Sequence, residues 1–386
     1  MIKNPNQVNL YAEGTGIAQA VNGAIATVVT NVFQGNARDR YIQRYRQKVL
    51  EHLENTWIKG VLERSLLDTE IIELELEDVS NLVDCSLGGH LQTKSILSGS
   101  RQFLEVFECA NQALLILGEP GSGKTTTLLS LAKTLLIQAQ IDPLHPIPVV
   151  LNLSSWSGNK CKTFEQWLLK SLQSIYGIPP KITQLWIDND DLVLLLDGLD
   201  EMRQSDQEAF VKSFNQFRQE HSLIPALICG RVVDYKNLNA RLKLQGAVFL
   251  HSLTPQQINA HLSKNSIKYS AVRWLLQHNE AMRDLAQSPL MFNIILHTYQ
   301  GMSTQEIMSS HSIQNSVFTA YVERMYSRNE DNKPYPLEKV KQWLAWLAFY
   351  LSQKNKTDFK EFETDLFMME TDHFFDLFIG IACLGV

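Results

Sequence analysis

The sequence predicts an α/β fold with a central five-stranded, mostly parallel sheet, an N-terminal helical region beside it and an all-helical region after it. Three observations carry this. Five short apolar runs, at 113–117, 147–153, 192–196, 225–229 and 247–250, are separated by segments with helical periodicity such as 164–176 and 206–221. Continuous apolar runs of this length suit strands buried on both faces, and strands that alternate with helices wind a parallel sheet. The first run opens directly into a glycine-rich loop, and the third ends in a group of carboxylates. After Leu250 the strand signals cease and only helical patterns follow.

The first run delivers Gly118-Glu119-Pro120-Gly121-Ser122-Gly123-Lys124-Thr125-Thr126, and the residues that follow are compatible with a helix. A strand, this loop and a helix in that order make a phosphate-binding loop. The glycines let successive backbone N–H groups turn inward on a triphosphate, the helix N-terminus adds its partial positive charge, and Lys124 reaches the β- and γ-phosphates. Gly118, Pro120, Gly121, Ser122, Gly123, Lys124, Thr125 and Thr126 are therefore the nucleotide-binding candidates, and the Thr125 hydroxyl is placed to hold Mg²⁺.

The third run ends in Asp197-Gly198-Leu199-Asp200-Glu201. Ligands bind at the C-terminal edge of a parallel sheet, so these carboxylates are expected beside the phosphates. Asp197 is suited to the metal, and Asp200 or Glu201 to orienting and deprotonating an attacking water. The chain separation from Lys124 suits a sheet with one strand inserted between the loop strand and the acidic strand. The fourth run ends in Gly230-Arg231, which brings a guanidinium to the same edge and makes Arg231 a candidate sensor of the γ-phosphate.

In the last third, Thr254-Pro255 is a cap followed by a proline at the first helical position, and 256–264 continue that helix. Further helical stretches fall near 271–287, 290–299, 313–327 and 337–353, broken by Ser288-Pro289, Gly301 and Pro334/Pro336. Trp343, Trp346, Leu347 and Tyr350 form a stripe at helical spacing that reads as core packing. Before the sheet, from Arg38 to about Ser80, the pattern reads as helical, with Tyr41, Tyr45, Val49, Leu53, Trp57 and Val61/Leu62 on one face. Arg38, Arg40, Arg44, Arg46 and Lys48, followed by Glu51, Glu54 and Glu63, read as its solvated side.

The two ends differ from the rest. Residues 14–36 carry no charge and mix small, β-branched and amide residues, which fits a loosely packed tail, a self-associating segment or a membrane-touching helix. Residues 374–386, FFDLFIGIACLGV, form a rising apolar run that could contact a membrane and is too short to span one. The expected organisation is 1–37 low-charge segment, 38–90 helical region, 91–253 nucleotide-binding domain, 254–310 helical lid and 311–386 a further, incomplete helical region.

With 386 residues and 45 % apolar content, the chain can bury two or three cores. A net charge of −6 argues against broad electrostatic capture of nucleic acid. Five scattered cysteines, Cys85, Cys109, Cys161, Cys229 and Cys383, contain no C-x-x-C pair and suggest neither a disulfide framework nor a zinc site. A reducing cytoplasm fits this usage and the lack of a secretory pattern at the N-terminus.

Taken together, GEPGSGKTTTLLSLAKTL (118–135), LLLDGLDE (194–201), LICGRVVDY (227–235), LTPQQI (253–258) and LAQSPLMFNII (285–295) resemble a NACHT-type NTPase of the STAND class of signalling ATPases. The resemblance spans roughly residues 90 to 350 and is nearest in character to bacterial NACHT proteins of the cyanobacterial type. It implies a Walker A motif at Gly118, Gly123, Lys124 and Thr125, a Walker B motif at Asp197, Asp200 and Glu201, a sensor arginine at Arg231, and an adenine-packing proline at Pro289. It also implies a partial winged-helix region over 311–386. Two departures stand out: Gly230 replaces the usual serine or threonine, and His373 is the only contender for the histidine that touches the β-phosphate of ADP.

The resemblance implies a switch. ADP would hold the helical regions over the sheet, a trigger ligand would open them, and ATP would permit a homo-oligomer, a cycle that bacterial relatives use in antiphage defence. Motif spacing alone supports Mg²⁺–nucleotide binding and hydrolysis. A steady-state P-loop NTPase and a membrane-associated scaffold are the alternatives.

Overall fold

The computed structural model describes residues 37–66, 72, 74–84, 95–97, 100–156, 158, 161–303, 305–306, 317–328 and 335–354. Residues 14–36, His373 and the apolar run 374–386 lie outside them. The chain divides into two compact units, Met1–Arg44 and Tyr45–Val386. Of the first unit, only 37–44, the opening turns of helix α1 (Ala37–His52), are described.

In the second unit α1 runs on as a π-helical stretch, Leu53–Glu63, closed by the short turn α2 (Arg64–Leu66). Val49, Leu53 and Leu62 are buried, as the helical pattern predicts, whereas Tyr41 and Val61 from the same predicted face are exposed and Ile58, outside it, is buried. The strands are β1 (Leu74–Asp78), β2 (Ser95–Leu97), β3 (Ala113–Gly118), β4 (Ile147–Asn152), β5 (Leu192–Asp197), β6 (Ala226–Gly230) and β7 (Gly246–Leu250). They form one seven-stranded sheet in the order β2-β1-β7-β3-β6-β5-β4. The five strands expected from the apolar runs make its parallel body. β1 joins β7 antiparallel, and β2 joins β1 antiparallel.

The edge pair corrects the helical reading of residues up to about Ser80. Leu74–Asp78 reads Leu-Glu-Leu-Glu-Asp, a period of two, and Leu74 and Leu76 are buried. Alternation over five residues suits a strand with one face covered, and pairing with β7 on one side and β2 on the other selects it over a helix that would scatter those leucines.

Around the sheet lie α3 (Ser100–Cys109), α4 (Lys124–Ile141), α5 (Phe164–Tyr176), α6 (Pro180–Asp188), α7 (Gln204–Glu220) and α8 (Val232–Lys236). α4 packs against α3, the π-helical stretch and β4, so its apolar residues are buried on more than one face. Arg46 is a second correction. Arg40, Arg44 and Lys48 are exposed as expected, whereas Arg46 is buried and its Nη2 donates to the carbonyls of Ala139 at 2.8 Å and Asp142 at 3.1 Å. A guanidinium placed on the open carbonyls at a helix C-terminus satisfies their hydrogen bonding and meets the negative end of the macrodipole.

On the other flank, α5 and α7 enclose an aromatic cluster in which Phe164 and Phe214 pack edge to face at 5.1 Å between ring centroids. Rings in this arrangement add to the stabilisation from area burial alone.

The helical region after the sheet comprises α9 (Pro255–Lys264), α10 (Ser270–His278), α11 (Glu280–Leu285), α12 (Pro289–Tyr299), α13 (Val317–Arg328) and α14 (Leu337–Lys354). α9 begins as expected, with Pro255 in its first turn and a reciprocal capping box between Thr254 and Gln257. The helix expected over 271–287 is two helices. Asn279 separates them and caps α11, its Oδ1 accepting from Met282 N at 3.1 Å. The stripe on α14 is not core: Trp343, Trp346 and Leu347 are half-buried, Phe349 is 64 % exposed, and Lys339 Nζ lies 4.8 Å from the centre of the Trp343 ring. Among the described residues, no helix is long and apolar enough to cross a membrane.

Candidate nucleotide-binding site

β3 is buried along its whole length, and the chain leaves it at Gly118 and re-enters a helix at Lys124. Gly123 occupies the N-cap of α4 with φ +92°, a left-handed conformation that residues with a Cβ rarely adopt. The turn is closed by Ser122 N donating to the Glu119 carbonyl at 3.1 Å. Lys124 Nζ folds back over it and donates to the carbonyls of Gly118 at 3.0 Å and Glu119 at 2.9 Å. Pro120 is exposed, the Ser122 side chain is buried, and Thr126 is half-buried in the first turn of α4.

One strand, β6, separates β3 from β5, the spacing the sequence suggests. Thr125 Oγ1 donates to Asp197 Oδ2 at 2.6 Å, so the loop and the acidic strand meet across that gap. Asp197 also accepts on Oδ1 from the Gly198 N–H at 3.0 Å. Burial pushes the Asp197 carboxyl above the usual carboxylate range; the Thr125 hydroxyl opposes the rise, and the charges of Glu201 and Asp200 add to it.

After Asp197 the backbone turns at Gly198, φ +80°, into a single 3₁₀ turn, Leu199–Glu201. The turn parts the two remaining acids. Asp200 Oδ2 pairs with Arg231 Nε at 2.7 Å, with the Asp200 side chain nearly buried and Arg231 about half exposed. Glu201 Oε2 accepts from Asn152 Nδ2, at the end of β4, at 3.2 Å. Gly230, the departure from the family pattern, lies against Leu199: a Cβ there would meet the Leu199 Cβ at 3.3 Å, so the leucine occupies the space a larger residue would need.

Pro289 is the first residue of α12, between two residues that touch the loop. The Gly121 carbonyl accepts from Leu290 N at 3.1 Å and from Ser288 Oγ at 3.3 Å. Sequence reasoning missed Asn152, Ser288, Leu290 and Cys229. Cys229 is wholly buried on β6, with Sγ 3.9 Å from the Lys124 carbonyl, and burial pushes its thiol well above the ordinary range. Asn152 had a signal: it is the one polar residue in the apolar run 147–153, near its C-terminal end, and in the structure it closes β4 in register with Asp197.

A hydroxyl and a carboxylate brought together at a phosphate loop suit Mg²⁺, which keeps several water and phosphate oxygens and needs few protein ligands. Among the described residues, no cluster of three or more His, Cys, Asp or Glu has the arrangement of an all-protein metal cage. Thr125 and Asp197 are thus the pair to which such an ion fits.

A glycine loop that docks its threonine on the acid of a strand two places away defines a P-loop NTPase. Within that class, residues 112–238, from the residue before β3 to just beyond α8, match the family profile of the NACHT domain. The chain therefore carries a NACHT-type domain, and nucleotide binding goes with it. Among curated proteins, none matches this chain.

Proposed function

We propose that this chain is an ATP-binding, slowly hydrolysing signal-transduction switch that passes between a closed ADP state and an open, ATP-bound oligomer. The observation that carries this reading is the seating of α12 on the phosphate loop, where Leu290 and Ser288 both donate to the Gly121 carbonyl. Here a helix outside the matched 112–238 segment hydrogen-bonds the loop that reads the phosphates, so the loop's conformation and the seat of the helix are tied together.

In this reading the loop N–H groups and Lys124 bind the phosphates, with the triphosphate competing for an ammonium that otherwise rests on the Gly118 and Glu119 carbonyls. Thr125 and Asp197 hold Mg²⁺, which when bound neutralises phosphate charge. Glu201 orients the attacking water and accepts its proton. The water oxygen bonds to the γ-phosphorus, the bond from that phosphorus to the β–γ bridging oxygen breaks, and ADP and inorganic phosphate leave. Asp200 anchors Arg231, whose half-exposed guanidinium reports the γ-phosphate, and Pro289 packs against adenine. Residues 14–36 drive assembly after a trigger ligand releases the lid. The setting implied by the NACHT resemblance is bacterial antiphage defence in the cytoplasm, with the apolar run 374–386 as a membrane contact.

The test is the nucleotide retained by freshly purified protein, identified by acid extraction and chromatography. Near-stoichiometric ADP is expected of a closed switch. An empty site with rapid multiple turnover would replace this reading with a steady-state NTPase.

A further inference from the structure

We infer that the helix from Tyr45 to Leu66 is a strap that holds α12 on the phosphate loop, so that lifting the strap from α4 speeds the release of ADP. The inference rests on the switch reading above and gives that switch a regulatory input away from the nucleotide.

The strap, α4, α12 and the loop form a closed circuit. α4 begins at Lys124, directly after the loop, and runs to Ile141. Arg46 caps the far end of α4 at the Ala139 and Asp142 carbonyls, Glu54 Oε2 accepts from Gln140 Nε2 at 3.1 Å, and Glu63 Oε1 meets Lys133 Nζ at 2.7 Å. As the strap proceeds, its partners therefore step back along α4 toward the loop. Its closing turn reaches α12, where Asn293 Nδ2 donates to the Ser65 carbonyl at 2.9 Å. α12 returns to the loop through Leu290 N and Ser288 Oγ on the Gly121 carbonyl.

The contacts differ in strength, and the difference sets what yields first. Val49, Leu53, Ile58 and Leu62 are buried, and His52 packs edge to face on Tyr176 at 4.7 Å between ring centroids. Area burial and the Arg46 guanidinium thus fix the body of the strap. The Lys133–Glu63 pair is about half exposed on both sides and contributes little. At the tip, the Ser65 carbonyl belongs to the last turn of a helix, where carbonyls find no donor within the helix, and the α12 amide supplies one. Ser65 Oγ closes the same turn by donating to the Leu62 carbonyl at 2.8 Å. Asn293 follows Leu290 by three residues, so α12 meets the loop and the strap on one side, a turn apart.

Between its anchors the strap is wound as a π-helix, Leu53–Glu63, a form rare at this length and frequent at functional positions. Gly60 suits that winding: a Cβ there would lie 3.1 Å from the Asn55 carbonyl, five residues back. The winding sets where Glu63 and Ser65 fall against Lys133 and Asn293. Coupling through such a circuit is reciprocal: what ADP adds to the seat of α12 it adds to the docking of the strap, and what lifts the strap is taken from ADP.

The full chain loaded with ADP provides the test. Asn293→Ala should speed ADP release roughly three-fold or more in a stopped-flow chase. Asn293→Asp, nearly isosteric but with an acceptor facing the Ser65 carbonyl, should speed it roughly ten-fold, the range of one neutral hydrogen bond lost or left unpaired. Arg46→Ala, at the far end of α4, should also speed release, and that gain should vanish in an Asn293→Ala background, because the strap acts through α12. Wild-type release by Asn293→Asp, or an Arg46→Ala gain of equal size in both backgrounds, would overturn the proposal. Hydrogen exchange adds a readout that a local weakening of α12 leaves unmoved: saturating ADP should protect the amides of 53–66 in the wild type and not in Asn293→Ala. Equal protection in the two, or none in either, would also overturn it. Should Arg46→Ala fail to fold, the Asn293 variants and the exchange measurement still decide. Failure of the switch reading would look different, as rapid multiple turnover by a chain purified without nucleotide, and there the protection of 53–66 at saturating ADP still decides the strap.

Discussion

The C-terminal edge of the sheet and the helical region after it reach the same loop by different means. At the sheet edge the site side chains stand at or just beyond the ends of strands buried on both faces, so their positions follow from the packing of β3 to β6. The helical region reaches the loop through one backbone carbonyl, at Gly121, with donors from Ser288 and Leu290. Further along the helical region, on α13, Phe318 is 56 % exposed, whereas Phe214 on α7 is wholly buried. Chemistry that needs side chains held within a fraction of an ångström belongs on the first region. The second region meets the loop through hydrogen bonds, each of modest net strength.

The largest effect that would sharpen this contrast is at the loop. Lys124→Ala should cut ATP affinity on the order of 100-fold or more, read by calorimetry, because a positioned cation among the phosphates is lost; near-normal affinity would break the assignment of the sheet edge. Next comes packing. Phe214→Ala should destabilise by about 3–5 kcal/mol in denaturant unfolding, while Phe318→Ala should stay within about 0.5 kcal/mol. Equal losses would erase the distinction between the two regions.

Asp197→Asn should have opposite effects on function and stability. Burial raises the folded-state pKa of this carboxyl, so between the unfolded value and the raised one the folded chain binds more protons than the unfolded chain. This contribution therefore falls as pH rises through that window, and at neutral pH the charged carboxylate is a cost. The amide removes it, so a higher Tm is expected at pH 7 together with loss of Mg²⁺-dependent turnover. A lower Tm would show that the Thr125 hydrogen bond outweighs burial. The smallest effect is in the helical region, where Ser288→Ala should speed ADP release a few-fold in a stopped-flow chase, the scale of one neutral hydrogen bond. Unchanged release would mean that the Leu290 N–H alone holds the contact.

The site was legible where a function depends on short-range pattern. Gly123 must be glycine for the loop to turn left-handed into α4, and Asp197 must end an apolar run to stand at the sheet edge, so both announce themselves. The partition of the acids was not legible. Asp200 and Glu201 are adjacent, and nothing local says that one faces Arg231 and the other Asn152, because those partners come from β6 and β4. Arg46 misled for a similar reason: its neighbours in sequence are solvated, and only the docking of α4 supplies the carbonyls it caps. β1 was missed because five alternating residues are weak evidence until β7 pairs with them.

The sequence by itself determined the parallel strands, the phosphate loop, the acidic strand one place removed and the helical region that follows. These rest on periodicity and backbone constraint, which act over a few residues. The tertiary structure alone decided the antiparallel edge, the cap on α4, the pairing of each carboxylate and the contact of α12 with the loop. Each joins residues far apart in the chain, and long-range contacts are set by how elements pack, which no local pattern records.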